Sequence, residues 1–245
     1  MNVLKISVWL WLFLQSVSSG YAQFYRVGFQ THVTSDYGVI ENPDIQVLRR
    51  FGPGISIGLT GAYRLNSHID LMSGVFYKVY HPEVVVTSAN TGFANFVELP
   101  VVNFTQLPLS AGYTINPNDG NIHFLVSAGY QLGLWSKQVV SSGISSSIIS
   151  SPSGSQLAVF STGTGTRSQV VHQLTSGVGI EQHSLYPFVI RFDIIHHWGF
   201  NEICSADVTV AENGNPPQQT SMSSFGTYTG YGFTISYVFR SLTDE

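Results

Sequence analysis

Eight segments of alternating apolar and polar residues, joined by connections that are short and long in turn, leave this chain very few folds. The segments are 24–34, 53–64, 69–80, 101–115, 122–136, 170–182, 187–199 and 225–239. Short connections are Leu65-Asn66-Ser67-His68, Asn116-Pro117-Asn118-Asp119-Gly120-Asn121 and the stretch 182–186. Between them fall long links at 35–52, 81–100, 137–169 and 201–224. Period-2 runs of ten residues or more, with connections alternating in this way, predict an all-β fold. The expected form is an eight-stranded antiparallel up-and-down transmembrane β-barrel with short periplasmic turns and long extracellular loops. An even strand count puts both ends of the barrel domain on the periplasmic side.

The two faces of the strands agree with that reading. In the last segment Tyr231, Phe233, Ile235, Tyr237 and Phe239 oppose Gly230, Gly232, Thr234 and Ser236. In the seventh, Phe188, Ile190, Phe192 and Ile194 oppose Arg191 and Asp193. One face suits lipid, and the other is polar and small, as a narrow eight-stranded interior requires. Tyr25, Tyr63, Tyr113, Phe124, Phe188, Tyr237 and Phe239 share the apolar parity near the short-turn ends, and Tyr77 and Trp198 near the opposite ends. Two aromatic belts around an aliphatic middle mark the two membrane interfaces. A soluble lipocalin-like barrel, with its apolar face inward, is the structural alternative; the belts and the sparse charge weigh against it.

Residues 1–22 read as an export leader. Lys5 supplies the positive start, residues 6–14 the apolar stretch, and Gly20-Tyr21-Ala22 the small residues before cleavage at Gln23, leaving 23–245 as the barrel domain. No Cys follows the cleavage point and no second long apolar run occurs, so lipid anchoring and a helical membrane fold are both disfavoured. Charged residues make up 10% of the chain, against roughly 25% in ordinary soluble domains. With Lys5 set aside, nine basic residues face fourteen acidic ones, and no basic stripe invites nucleic acid. Cys204 is the single cysteine, which excludes an internal disulfide, and it reads as an unremarkable loop residue.

The charges on the strands carry the candidate site. Arg26, Arg64, Asp70, Lys78, Glu181, Arg191 and Asp193 take the lumen parity, with Glu98 at the entrance to the fourth strand. An Arg or Lys on the lipid face would cost roughly 2–4 kcal/mol at the midplane, and inside the lumen charges must pair. The expectation is a closed, salt-bridged interior; a small gated pore whose pairs exchange partners is the alternative. His196-His197 is no chelating pair, because adjacent strand residues point to opposite faces. His197 and Asp193 lie roughly 13 Å apart along the strand. No Ser/His or Asp/His constellation of a barrel hydrolase is legible, so the expectation is a protein that is not an enzyme. His32, His81, His123, His172 and His183 have no metal-ligand spacing, and Gly163-Thr164-Gly165 lies in a Ser-rich stretch rather than a phosphate loop, so no cofactor is expected. That stretch, 141–165, reads as a flexible surface loop. Alternatively, Ile144 and Ile148-Ile149 extend the wall as a hairpin above the membrane. Asp36, Glu41, Asp44, Glu83, Glu202, Asp207 and Glu212 make the other long links acidic, against Arg49 and Arg50. The outer face should therefore suit a cationic or neutral partner, or merely repel anions, alongside contact with the lipid bilayer itself.

Phe96-Val97-Glu98-Leu99-Pro100, Leu107-Pro108-Leu109 with Gly112-Tyr113, Val126-Ser127-Ala128-Gly129-Tyr130, and the closing run 230–239 together resemble the small outer-membrane β-barrel family of Bacteroidota that includes PorT-like proteins. In that family a Glu-Ile-Pro-like step leads into the fourth strand, and Glu98-Leu99-Pro100 matches it. A terminal aromatic is typical; here six residues follow Phe239. The resemblance spans the mature chain and implies an outer-membrane location, but no activity.

Overall fold

The computed structural model describes residues 24–40, 47–48, 52–81, 83–87, 94–98, 101–115, 120–135, 144–150, 156–165, 170–185, 187–212 and 216–240. The leader 1–22 and the acidic and basic residues Glu41, Asp44, Arg49 and Arg50 lie outside them. The described strands are β1 (Phe24–Asp36), β2 (Val39–Ile40), β3 (Val47–Leu48), β4 (Gly52–Arg64), β5 (Ile69–Tyr80), β6 (Glu83–Thr87), β7 (Ala94–Glu98), β8 (Val102–Thr114), β9 (Ile122–Trp135), β10 (Ile144–Ser150), β11 (Gln156–Gly165), β12 (Val170–Leu185), β13 (Phe188–Gly199), β14 (Cys204–Glu212), β15 (Gln218–Ser224) and β16 (Tyr228–Arg240).

Eight of them close into a barrel in the order β1-β16-β13-β12-β9-β8-β5-β4. Every neighbouring pair in the ring is antiparallel, and the first and last strands pair from Phe24↔Arg240 to Asp36↔Tyr228. Each barrel strand therefore neighbours the next along the chain, which is the expected up-and-down barrel. The ring leaves no open edge, which is the condition for strands to cross hydrocarbon with every backbone group paired.

The orientation of the wall follows from what sits on each face. Leu59, Leu109 and Val33 are 62%, 63% and 63% exposed on the outer surface, whereas Asp70 and Lys78 are 0% exposed within. Apolar side chains outside and charges inside invert a soluble fold, and only a lipid surround makes that arrangement favourable. The lipocalin-like alternative is excluded by this orientation. Among the described residues no helix is long and apolar enough to cross a membrane; the chain crosses with strands.

The long links are more structured than loops. β10, β11, β14, β15 and β2 form a five-stranded sheet, and β3, β6 and β7 a three-stranded one. The Ser-rich stretch is thus a hairpin, with Ile144↔Thr162 and Ser150↔Gln156 at its two ends. It does not extend the barrel wall: β11 pairs instead with β14 from the fourth link. Ser and Thr tolerate a pleated half-polar surface, and period-2 stretches this short carry a weak signal.

Candidate functional site

The barrel strands bring the lumen-parity residues together in levels. At the short-turn end, Arg26 pairs with Asp70 and donates from Nη1 to Glu181 Oε2 at 2.9 Å. Arg64 grips the same Asp70 with two donors, Nε at 2.8 Å and Nη2 at 3.2 Å. His183 Nε2 lies 3.2 Å from Glu181 Oε2. Charges this deeply buried persist only when each carboxylate is shared among several donors, and here each is.

One level further in, Arg191 Nε lies 2.8 Å from Asp193 Oδ2 without hydrogen-bond alignment, and its Nη1 lies 3.9 Å from Glu181 Oε1. Asp193 is also met by His32 Nε2 at 2.8 Å and by the Gln30 amide at 3.2 Å. Gly232 faces this cluster, and any Cβ there would run into His32 and Asp193. An Asp/His pair within hydrogen-bond reach is therefore present, contrary to the expectation that none exists. It joins β1 to β13 over the intervening β16, where Gly232 lies level with both residues, a contact that no spacing along one strand reveals.

At the opposite end Lys78 and Asp36 form a pair at 2.7 Å, with 0% of either side chain exposed. Thr34 Oγ1 donates to Asp36 Oδ1 at 2.8 Å, and the His81 amide donates to Asp36 Oδ2 at 2.8 Å. Asp36 is thus a lumen residue at the end of β1 and not part of an acidic surface loop. Its parity with Arg26, Gln30 and His32 was the signal available for finding it.

Between the two ionic regions lies a cavity of about 60 Å³, lined by polar Ser56, Gln106, Gln131, Thr175 and His197 and by apolar Met72, Phe76 and Leu125; it has room for a few waters. Gln106 and Gln131 both donate to the Tyr228 hydroxyl, at 2.7 and 3.2 Å, and the His197 ring stacks on Tyr228 at 4.0 Å. His196, its neighbour, is on the outer wall against Trp198, as opposite faces of one strand demand.

Above the cavity the lumen is stoppered by the fourth link. Ile203 just before β14, with Cys204, Val208 and Met222 of the β14–β15 hairpin, packs with Tyr80, Val102, Phe104, Val171 and Tyr228 of the barrel mouth in one buried apolar cluster. Cys204 is therefore part of the stopper and not an unremarkable loop residue. Burial pushes its thiol pKa up to about 12.

Glu98 departs from the expected placement. It ends β7 and pairs across from Glu83 of β6 in the three-stranded sheet, outside the barrel ring. The step after it leads into β8, and the wall begins only at Val102. Tyr25, Tyr77, Tyr113, Phe124, Phe188, Trp198, Tyr237 and Phe239 are exposed on the outer surface, and Tyr63 is half-buried beside Tyr25. Glu202 and Asp207 are exposed, and Glu83 is half-buried. Among the described residues no three His, Cys, Asp or Glu side chains are grouped to hold a metal ion.

A closed ring with a lipid-compatible wall and an ionic interior defines the class: this is an outer-membrane β-barrel. No protein-family model matches the sequence, and no curated protein is similar to it. Among solved structures it is similar to the N-terminal β-barrel domain of Pseudomonas aeruginosa OprF, at 13% identity and TM-score 0.43, over 90% of this chain and 100% of that one. OprG of the same organism gives 12% and 0.44, over 90% and 97% of the two chains. Ail, the attachment invasion locus protein of Yersinia pestis, gives 10% and 0.35, over 90% and 100%.

Proposed function

We propose that this protein is a closed outer-membrane barrel that serves as a membrane-held platform, with its extracellular sheets contacting a cationic or neutral protein partner, and that it is not an enzyme. The observation that carries this reading is the double closure of the lumen. An ion-pair lattice fills the short-turn end, an apolar stopper fills the other, and the space between them has room only for a few waters. The non-enzymatic reading is supported by the company the Asp193–His32 pair keeps. Arg191 and Gln30 occupy the remaining reach of that carboxylate, which leaves it holding the wall together rather than activating a nucleophile. Exposed Asp207 and Glu202 supply the acidic character of the outer face.

The export leader 1–22 and the PorT-like kinship belong to the same proposal. The kinship is supported by the Glu98-Leu99-Pro100 step ahead of the fourth barrel strand. Single-channel recording in a planar bilayer tests the central point. The intact protein should leave the membrane at baseline current, and a steady ion conductance would replace the platform with a pore.

A further inference from the structure

The two closures of the lumen are unlike, and the difference has a consequence. The short-turn end is cross-linked by residues of the wall itself: Arg26 and Arg64 on Asp70, Arg26 and His183 on Glu181. Opening it requires breaking several buried charge pairs, which is strongly unfavourable. The other end is closed by a separate element. The β14–β15 hairpin leaves the barrel through the short segments 200–203 and 225–227 and forms the middle of the five-stranded sheet, with β11 paired along β14 and β2 along β15. The sheet rests on the mouth through apolar side chains of this hairpin.

Several polar bonds between this cover and the mouth meet at one side chain. The Tyr80 hydroxyl contacts Ser224 Oγ and donates within reach of the Tyr37 carbonyl at 2.9 Å and the Thr227 carbonyl at 3.2 Å. Gln173 adds a bond to the carbonyl of Gly226, whose φ of +71° lies in the left-handed region that favours glycine. Directly beneath sits the Lys78–Asp36 pair, with Lys78 Nζ 5.3 Å from the Tyr80 ring centre and 4.6 Å from that of Tyr228. A fully buried ion pair gains hydration when its cover lifts, whereas the apolar seam gains when the cover closes. Opposed terms of this kind make a two-state element.

We propose that the five-stranded sheet, seated on the mouth by β14 and β15, is a lid, and that lifting it opens the upper lumen as a blind, outward-facing pocket for small uncharged solutes rather than as a channel. The pocket sets amide and hydroxyl groups (Ser56, Gln106, Gln131, Thr175 and Tyr228) that both donate and accept beside apolar Met72, Phe76 and Leu125, over a floor at Arg191 and Asp193. Such walls suit solutes that hydrogen-bond without carrying charge.

The test uses a small, membrane-impermeant methanethiosulfonate reagent applied from outside to the protein in cells. With Cys204→Ser removing the native thiol, Ser56→Cys reports the pocket and Asp207→Cys reports the open surface. Asp207→Cys should label at once and Ser56→Cys slowly. Adding Tyr80→Phe, which removes the latch hydroxyl, should speed labelling of Ser56→Cys about tenfold, the worth of one or two net hydrogen bonds. Heat-modifiable migration on a gel shows that each variant is folded. A folded Ser56→Cys that stays unlabelled with and without Tyr80→Phe overturns the lid, as does labelling at the Asp207→Cys rate in both. Tyr80→Phe protein in a planar bilayer should remain at baseline; conductance in that variant alone would overturn the blind pocket, while conductance of the unmodified protein would instead overturn the closed platform.

Discussion

Asp36 on β1 and Lys78 on β5 meet at 2.7 Å across the intervening strand β4, where only Gly54 leaves room for them. Neither side chain is exposed. Removing one partner strands the other charge in a dry site, so Asp36→Ala or Lys78→Met should each destabilise the barrel by about 3–5 kcal/mol. The double variant should cost less than the sum, because no orphan charge remains. Guanidinium unfolding in detergent micelles, followed by tryptophan fluorescence, measures all three.

Arg191 and its neighbour Ile190 test the two faces of one strand. Arg191→Ala should cost about 3–5 kcal/mol by leaving Asp193 and Glu181 short of a cation. Ile190→Arg should cost about 2–4 kcal/mol by placing a charge in hydrocarbon. Unfolding midpoints unchanged in both variants would show that the wall is assigned the wrong way round.

Cys204 gives the stopper a pH signature. Its folded thiol titrates at about 12 rather than near the ordinary 9, so the unfolded chain loses the proton first as pH rises. The stabilising contribution is complete below about 9 and is lost progressively between 9 and 12. Ellman's reagent at pH 8 should therefore react slowly with the folded protein and rapidly after heating in detergent. Replacing Cys204 with Ala should flatten that alkaline slope in chemical unfolding.

The β10–β11 hairpin is dispensable to the ring, since β9 pairs directly with β12 from Gln182↔Ile122 to Val170↔Leu134. Replacing residues 141–166 with a short Gly/Ser linker should leave heat-modifiable migration intact while removing partner binding at the outer face. Loss of the folded band would make the hairpin a structural part of the wall.

The barrel was legible because membrane strands must alternate at every position, and Tyr231 through Phe239 or Phe188 through Ile194 do so without interruption. The inward placement of Arg26, Asp70 and Glu181 followed from the same parity. Their partners did not, because which strands face each other across a lumen depends on closure and stagger, and neither leaves a trace in any one segment. His32 reaches Asp193 over a separation of 161 residues. Asp36 was hidden by ending the first strand two residues early, at 34, which turned a lumen carboxylate into a loop acid. Glu98 was misplaced because its nearness in sequence to the fourth strand suggested the barrel entrance, whereas it ends β7, which pairs with β6. The stopper was illegible because Ile203, Cys204 and Met222 are scattered apolar residues whose common target exists only once the mouth is built.

The seam between β1 and β16 joins the two ends of the barrel domain residue by residue. Until the last strand is made, the first has a bare edge along its whole length, and so does β13, which also waits for β16. Both edges are sticky templates for any other extended chain. Contacts that must wait for some two hundred residues of intervening chain carry a heavy loop-closure cost and form slowly. The half-made protein therefore has to be shielded during its biogenesis, and truncations at the carboxyl end should be more damaging than losses anywhere in the outer sheets.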